Sequence, residues 1–286
     1  MYGAIEAGGT KFVCAVSDDN LEIVGQIRIP TMVDPEQTMS QVETFFSDFK
    51  VASIGIGSFG PIGINPDYAD YGFIKQTPKT GWENYNFLAR IKQFFDGPVF
   101  WTTDVNVAAY GEYHLGHAKD KQHMVYLTVG TGIGGTIINN DDFYAGVGHP
   151  EIGHIYVKSA HGNTVSGVCP YHKGCLEGMA SGPAILKRSG KPAEKLETTD
   201  RAWGIEAYYL AQAAVNYTLL YSPEIIIFGG GVANQARLFP LMRKSFEFQM
   251  GDYVQYPSLD HYLVHAKLGD DAGIKGALLL AKQVSS

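Results

Sequence analysis

The sequence predicts an α/β protein of two domains, and three observations carry that prediction. A strand, a glycine-rich turn and a second strand occur twice, at residues 2–16 and 125–138. Fully apolar runs such as Ile225-Ile-Ile-Phe228 read as strands buried on both faces, the habit of parallel sheets. Between such runs lie segments with apolar residues at helical spacing, the alternation that builds α/β layers. At 286 residues the chain has the length of about two domains.

Taken in order, residues 2–16 form the first hairpin, with Gly8, Gly9, Thr10 and Lys11 at its turn. Leu21 to Ile29 alternates as a third strand. Pro35 to Phe49 places Met39, Val42, Phe45, Phe46 and Phe49 at helical spacing. Ser53 to Gly57 is a short buried strand. Residues 63–83 read as irregular, and long loops in compact domains are usually functional. Asn84 to Phe95 reads as a helix with Asn84 at the N-cap position. The strand Pro98–Trp101 delivers Thr103 and Asp104 at its carboxyl end, before a helix from about Val105 to Leu115. Ligands of open α/β sheets bind at that end of the strands, so Asp104 stands where a catalytic carboxylate would. The plainer alternative is a helix-capping aspartate. The polar stretch from Gly116 to His123 marks a domain boundary.

The second hairpin carries Gly130, Gly132, Gly134 and Gly135. Glycines allow φ > 0 and close approach to an anion, with backbone N–H groups aimed at phosphate oxygens. A plain hairpin needs only two turn residues, fewer than this turn supplies. Gly130-x-Gly132-x-x-Gly135 matches a dinucleotide fingerprint in form, but that fingerprint requires a helix next. Thr136-Ile-Ile-Asn139 starts a helix poorly, which excludes a dehydrogenase, and no GxxxxGK[ST] element occurs. Ile155–Val157 is a short strand. Cys169, His172 and Cys175 follow with Cys-x2-His-x2-Cys spacing, and His154 would complete a tetrahedral, structural zinc site. The alternative is two reduced thiols and a surface histidine. Glu151 and Glu177 flank this loop. A helix from Glu177 to Lys187 is interrupted by Ser181-Gly182-Pro183, and a long apolar helix spans Trp203–Tyr221. Gly229, Gly230 and Gly231 join the strand ending at Phe228 to a helical segment, Gln235 to Met250, as a second candidate nucleotide wall. Residues 261–268 form a last strand, and Asp270 opens a terminal helix that packs back on the N-terminal half.

A net charge of −7 argues against a nucleic-acid partner, which needs a basic footprint. No apolar run approaches the roughly 20 residues that span a bilayer. The chain opens directly into a strand pattern at Tyr2, without a basic n-region or cleavage site, so the expected location is cytoplasmic. Three cysteines make no disulfide framework, and Cys14 reads as inert core.

The segments Glu6-Ala-Gly-Gly-Thr-Lys11, Thr103-Asp104, Gly130-Thr-Gly-Ile-Gly134, Glu151-x-Gly-His154, Gly174-Cys-Leu-Glu177 and Gly229-Gly-Gly231 occur in one order. Together they resemble the ROK family (repressors, open reading frames and kinases) of sugar kinases, over nearly the whole chain. The first segment and the Cys-x2-His-x2-Cys spacing look most like its bacterial fructokinases. The resemblance implies a two-domain, actin-like ATPase (ribonuclease H-like) fold with an interdomain cleft. Residues 1–118 with the helix at about 270–286 would form one domain, and residues 119–269 the other, with its zinc loop. It implies ATP with Mg²⁺ and phosphoryl transfer to a hexose C6 hydroxyl. Asp104 matches the family's catalytic base, and Glu151, His154 and Glu177 match positions that contact the sugar. His154, Cys169, His172 and Cys175 match its zinc loop. Gly9, Thr10 and Lys11, with Thr131 and Gly132, match the phosphate turns. Pro183 and Gly229 to Gly231 fall where adenosine is held.

There are three departures from the family's pattern. Many ROK glucokinases have Asp where this chain has Glu6, and Asn where it has Thr103. Their zinc loops usually carry three cysteines with another spacing. Thr103 lacks an amide that would bond a glucose-type hydroxyl, which favours fructose, or a range of fructose and mannose. Glucose, mannose and N-acylmannosamine kinases share the same frame. From another class, a sugar-sensing repressor would carry a helix-turn-helix before the first hairpin, whereas here the strand begins at Tyr2. A non-catalytic sugar-binding module is the remaining alternative. Family members are often dimers, which implies a homodimer.

Overall fold

Two five-stranded mixed sheets organise the protein, described here over residues 1–285 of a computed structural model. The first is built from β1 (Tyr2–Ala7), β2 (Lys11–Ser17), β3 (Ile23–Pro30), α1 (Pro35–Ser47) and β4 (Ile54–Ser58). A small ribbon of β5 (Phe73–Ile74) and β6 (Tyr85–Asn86) follows, then α2 (Phe87–Ile91), β7 (Val99–Thr103) and α3 (Asp104–Leu115). The strand order is β3-β2-β1-β4-β7; β1, β2 and β3 pair antiparallel, while β1, β4 and β7 run parallel. Helix α1 starts where Asp34 accepts the Glu36 N–H and Pro35 fixes the first turn. Its buried face is Thr38, Met39, Val42 and Phe46, a spacing of about one helical turn.

The second sheet comes from β8 (His123–Val129), β9 (Ile133–Asn139), β10 (Asp142–Phe143), β11 (Ile225–Gly229) and β12 (Leu263–His265). Its order, β10-β9-β8-β11-β12, repeats that of the first sheet, including the antiparallel hairpin and the parallel inner pair. The internal duplication seen in the two glycine hairpins is therefore a duplication of whole sheets. A 3-10 turn (Ile152–His154), α4 (Leu176–Ala180), α5 (Gly182–Ser189), α6 (Ala202–Tyr221), α7 (Leu238–Met250) and α8 (Leu259–Tyr262) complete this half. Helix α6 is apolar nearly all round, so it is buried, with Trp203, Tyr209 and Tyr217 in the core. The final helix, α9 (Ala272–Val284), returns to the first sheet and packs on α3, β1 and β4. That approach needs Gly276, since a Cβ there would collide with the Val107 carbonyl oxygen.

By packing, the chain divides into Met1–Leu115 with Ala145–His149 and Asp270 onward, and Gly116–Tyr144 with Pro150–Gly269. The break falls slightly before residue 118. Ala145–His149, expected in the second half, groups with the first; this glycine-rich stretch lies beyond β10 and forms no strand.

Three elements differ from expectation. Helix α2 begins at Phe87 rather than Asn84, because Asn84 sits at φ 57°, a conformation asparagine tolerates but a helix does not. Asn86 caps the helix instead, accepting the Ala89 N–H at 3.0 Å. Residues 155–157 form no strand; Tyr156 makes one isolated bridge to Cys175 and is 73% exposed. The last strand is β12 alone, because Leu259–Tyr262 is helical. No helix among the described residues is long and apolar enough to cross a membrane.

Candidate active site

Because β1, β4 and β7 are parallel, their carboxyl ends share one sheet edge. Ala7 is level with Ser58, and Ser58 with Thr103. Two strand spacings put Ala7 and Thr103 about 10 Å apart. The first glycine turn and Asp104 therefore emerge side by side. The turn is closed by the Gly8 N–H donating to the Lys11 carbonyl at 3.0 Å. A Cβ added at Gly9 would meet nothing within 4 Å, so the turn faces open space. The expected left-handed backbone is not what these glycines provide: none of Gly130, Gly132, Gly134 or Gly135 has positive φ. Their value is room. At Gly132 a Cβ would lie 2.7 Å from Glu177 Oε2.

Thr103 is buried, and its Oγ1 accepts the Asn106 N–H at 3.1 Å, the pattern of an N-cap. Asn106 in turn donates to Thr102 Oγ1 at 2.7 Å. Capping of α3 thus falls to Thr103, while Asp104 Oδ1 accepts the adjacent Val105 N–H at 2.9 Å. Sequence reasoning gave no role to Glu6, yet its carboxyl group belongs to this site. Burial, then the negative charge of Asp104, push its pKa up to about 7, against the pull of Lys11. Its oxygens lie where a Cβ on Gly273, in the first turn of α9, would come within 2.6 and 2.7 Å. A charged residue inside an otherwise apolar strand was the available signal.

The second half brings the expected nucleotide wall together at the carboxyl ends of β8 and β11. The Gly182 N–H donates to the Gly130 carbonyl at 2.7 Å, which sets the start of α5, with Pro183 in its first turn, against the turn holding Thr131 and Gly132. The Val232 N–H donates to the Val129 carbonyl at 3.0 Å, laying Gly229, Gly230 and Gly231 beside the same strand end. Gly230 is left-handed at φ 85°, and a Cβ there would stand 2.7 Å from the Val129 nitrogen. Space beyond Gly130 and Gly231 is open to 4 Å.

Beside this wall, ligand atoms of His154, Cys169, His172 and Cys175 all lie within 4.8 Å of one another. His154 Nδ1 is 3.7 Å from Cys169 Sγ and 3.6 Å from Cys175 Sγ. A tetrahedral ion with Zn–S of about 2.3 Å and Zn–N of about 2.05 Å has S···N edges of about 3.6 Å. The donor set and its spacing therefore fit zinc. His172 Nδ1 is buried without a hydrogen-bond partner, as a ligand nitrogen would be. Burial raises the Cys175 thiol to about 11, a shift that a bound cation would reverse.

His154 turns its other face to Glu177, with Nε2 4.0 Å from Oε1. Glu177 Oε2 accepts the Ile133 N–H at 3.0 Å, at the start of β9. Glu177 thus ties the histidine of the metal cluster to the second glycine turn, a contact spanning 44 residues that no local pattern announces. Glu151 is exposed, one 3-10 turn ahead of His154, whose N–H its carbonyl accepts at 2.9 Å.

A duplicated sheet with a glycine hairpin at the head of each copy defines the actin-like ATPase fold. The chain belongs to the ROK family, whose model matches residues 2–284. It is 47% identical to a fructokinase of Pediococcus pentosaceus, over 99% of this chain and 98% of that one. A fructokinase of Streptococcus mutans is 43% identical, covering 100% and 99% of the two chains. Among solved structures, a ROK hexokinase from Thermus thermophilus superposes with a TM-score of 0.81 at 24% identity, covering 99% and 98%. The fold also matches a ROK transcriptional regulator, a homolog of the E. coli MLC protein, at a TM-score of 0.78 and 23% identity, with 99% of this chain and 78% of that one covered.

Proposed function

We propose that this protein is an ATP-dependent hexose kinase that phosphorylates fructose on its C6 hydroxyl. The observation that carries the reading is Asp104, held at the same sheet edge as an N–H-rich turn, in a chain 47% identical to a fructokinase. Phosphoryl transfer asks for positioning and charge stabilisation more than covalent chemistry. The turns at Gly9–Lys11 and Thr131–Gly132 hold the triphosphate through backbone N–H groups, and Lys11 adds a positive charge. Pro183 and Gly229 to Gly231 hold the adenosine. Asp104 accepts the sugar hydroxyl proton as the γ-phosphoryl group arrives. Thr103, Glu151, His154 and Glu177 orient the ring hydroxyls.

Mg²⁺, when bound with ATP, neutralises charge on the transferring group; oxygen donors of the kind that Asp104 and Glu6 offer suit such a hard cation. His154, Cys169, His172 and Cys175 hold a structural Zn²⁺, which fixes a loop with little core of its own. The reading includes mannose as a second substrate, a cytoplasmic location where ATP is available, and a homodimer. A kcat/KM panel over fructose, mannose, glucose and N-acetylmannosamine, with ATP and Mg²⁺, tests it. Fructose should lead. Absence of ADP formation with every sugar would refute kinase activity, and a clear lead for glucose would refute the substrate.

A further inference from the structure

The first glycine turn is useful to an anion only if its N–H groups, and not its carbonyls, face the ligand. In a trans peptide the N–H and C=O point to opposite sides, so fixing a carbonyl aims the following N–H. Thr31 does this twice. Its Oγ1 donates to the Gly8 carbonyl at 2.7 Å, and its backbone N–H donates to the Thr10 carbonyl at 3.0 Å. Both carbonyls are thereby drawn toward β3, and the N–H groups of Gly9 and Lys11 are turned away from it.

Thr31 is itself held. It follows directly on β3 and is 8% exposed. The next residue is clamped at both of its peptides: the Met32 N–H donates to Thr38 Oγ1 at 3.0 Å, and the Met32 carbonyl accepts the Trp82 indole N–H at 2.8 Å. Trp82 is fully buried among Phe12, Phe59, Tyr85 and Phe87. A rigid aromatic cluster thus reaches the phosphate turn through one threonine.

We propose that Thr31 is a positioning residue for the nucleotide, acting through the peptides of Gly8 and Thr10 rather than by touching ligand. The inference rests on the phosphate role proposed for this turn. Its test is steady-state kinetics, with ATP and fructose varied separately, on Thr31→Val, Thr31→Ser and Gly9→Val, together with thermal midpoints.

Thr31→Val keeps the shape and removes the hydroxyl. It should lower kcat/KM for ATP about tenfold, the worth of one such hydrogen bond, with KM for fructose essentially unchanged. Thr31→Ser, which keeps the hydroxyl, should restore ATP kinetics. Should Thr31→Val fail to fold, Thr31→Ala removes the same hydroxyl without filling its space. Wild-type ATP kinetics in the hydroxyl-free variant overturn the proposal, as does an equal rise in both KM values or a Ser variant as impaired as Val. Gly9→Val separates the two layers, because its side chain enters the open space before the turn. If it damages ATP kinetics while Thr31→Val does not, only the role of Thr31 falls. If Gly9→Val binds ATP normally, the phosphate reading of the turn falls, and the proposal with it.

Discussion

A single carboxylate carries the proposed chemistry, and a second one sets the conditions under which it works. Thr103, rather than Asp104, supplies the N-cap bond of α3. Asp104→Asn preserves size and the Val105 contact, so it should fold normally and lose about 10²- to 10⁴-fold in kcat, the usual contribution of a general base. Wild-type kcat in that variant would remove the assignment. Glu6 ionises around pH 7 in the folded protein, against an ordinary value of 4.5. Its contribution to stability is therefore complete below about pH 4.5 and is lost as pH rises through about 7. Between pH 5.5 and 8 the thermal midpoint of the wild type should fall relative to that of Glu6→Gln, which has no proton to lose. A kcat–pH profile should lose an inflection near 7 in the same variant; parallel profiles and parallel melting curves would show that Glu6 does not titrate there. The position of Asp104, directly after β7, was legible because a strand's carboxyl end is a local pattern. Glu6 was not, since its neighbours Asp104 and Gly273 arrive from distant parts of the chain.

At the level of elements, the loop between the 3-10 turn and α4 has little regular structure of its own. From residue 155 to 175 the chain has one isolated bridge and much exposed surface, including Tyr156 and Tyr171. Yet it delivers Glu177 to the second hairpin, 3.0 Å from the Ile133 nitrogen. In the proposed reading a Zn²⁺ held by the four residues would fix the shape of this loop, with His154 facing sulfur on one side and Glu177 on the other. Chelation, or Cys175→Ser, should therefore raise KM for the sugar about tenfold or more, with the larger share of the loss in binding rather than turnover. Elemental analysis that finds no zinc in freshly purified protein would refute the site. Cys-x2-His-x2-Cys was readable because ligand spacing is a short-range signal. The strand expected at residues 155–157 is cut short: Ile155 and Val157 pack against the core, but pairing with residues 174–176 stops at two backbone hydrogen bonds around the single Tyr156–Cys175 bridge, because α4 begins at Leu176.

Across the whole molecule, the repeated sheet was foreshadowed by the repeated glycine hairpin, because both copies place a glycine turn with a threonine between two largely apolar strands. The strand orders are identical although the connections differ greatly in length: about 25 residues separate β3 from β4, and about 80 separate β10 from β11. Helix α2 was misread at its start because Asn84 looks like a cap in isolation, whereas the ribbon of β5 and β6 requires a left-handed residue just ahead of it. The return of α9 to the first sheet has a temporal side. Every strand of the second sheet has been synthesised once residue 265 is translated, while the first sheet still lacks the helix that covers β1 and β4. The half begun first is thus completed after the other, and Glu6 acquires its neighbour Gly273 only once the second half has been made.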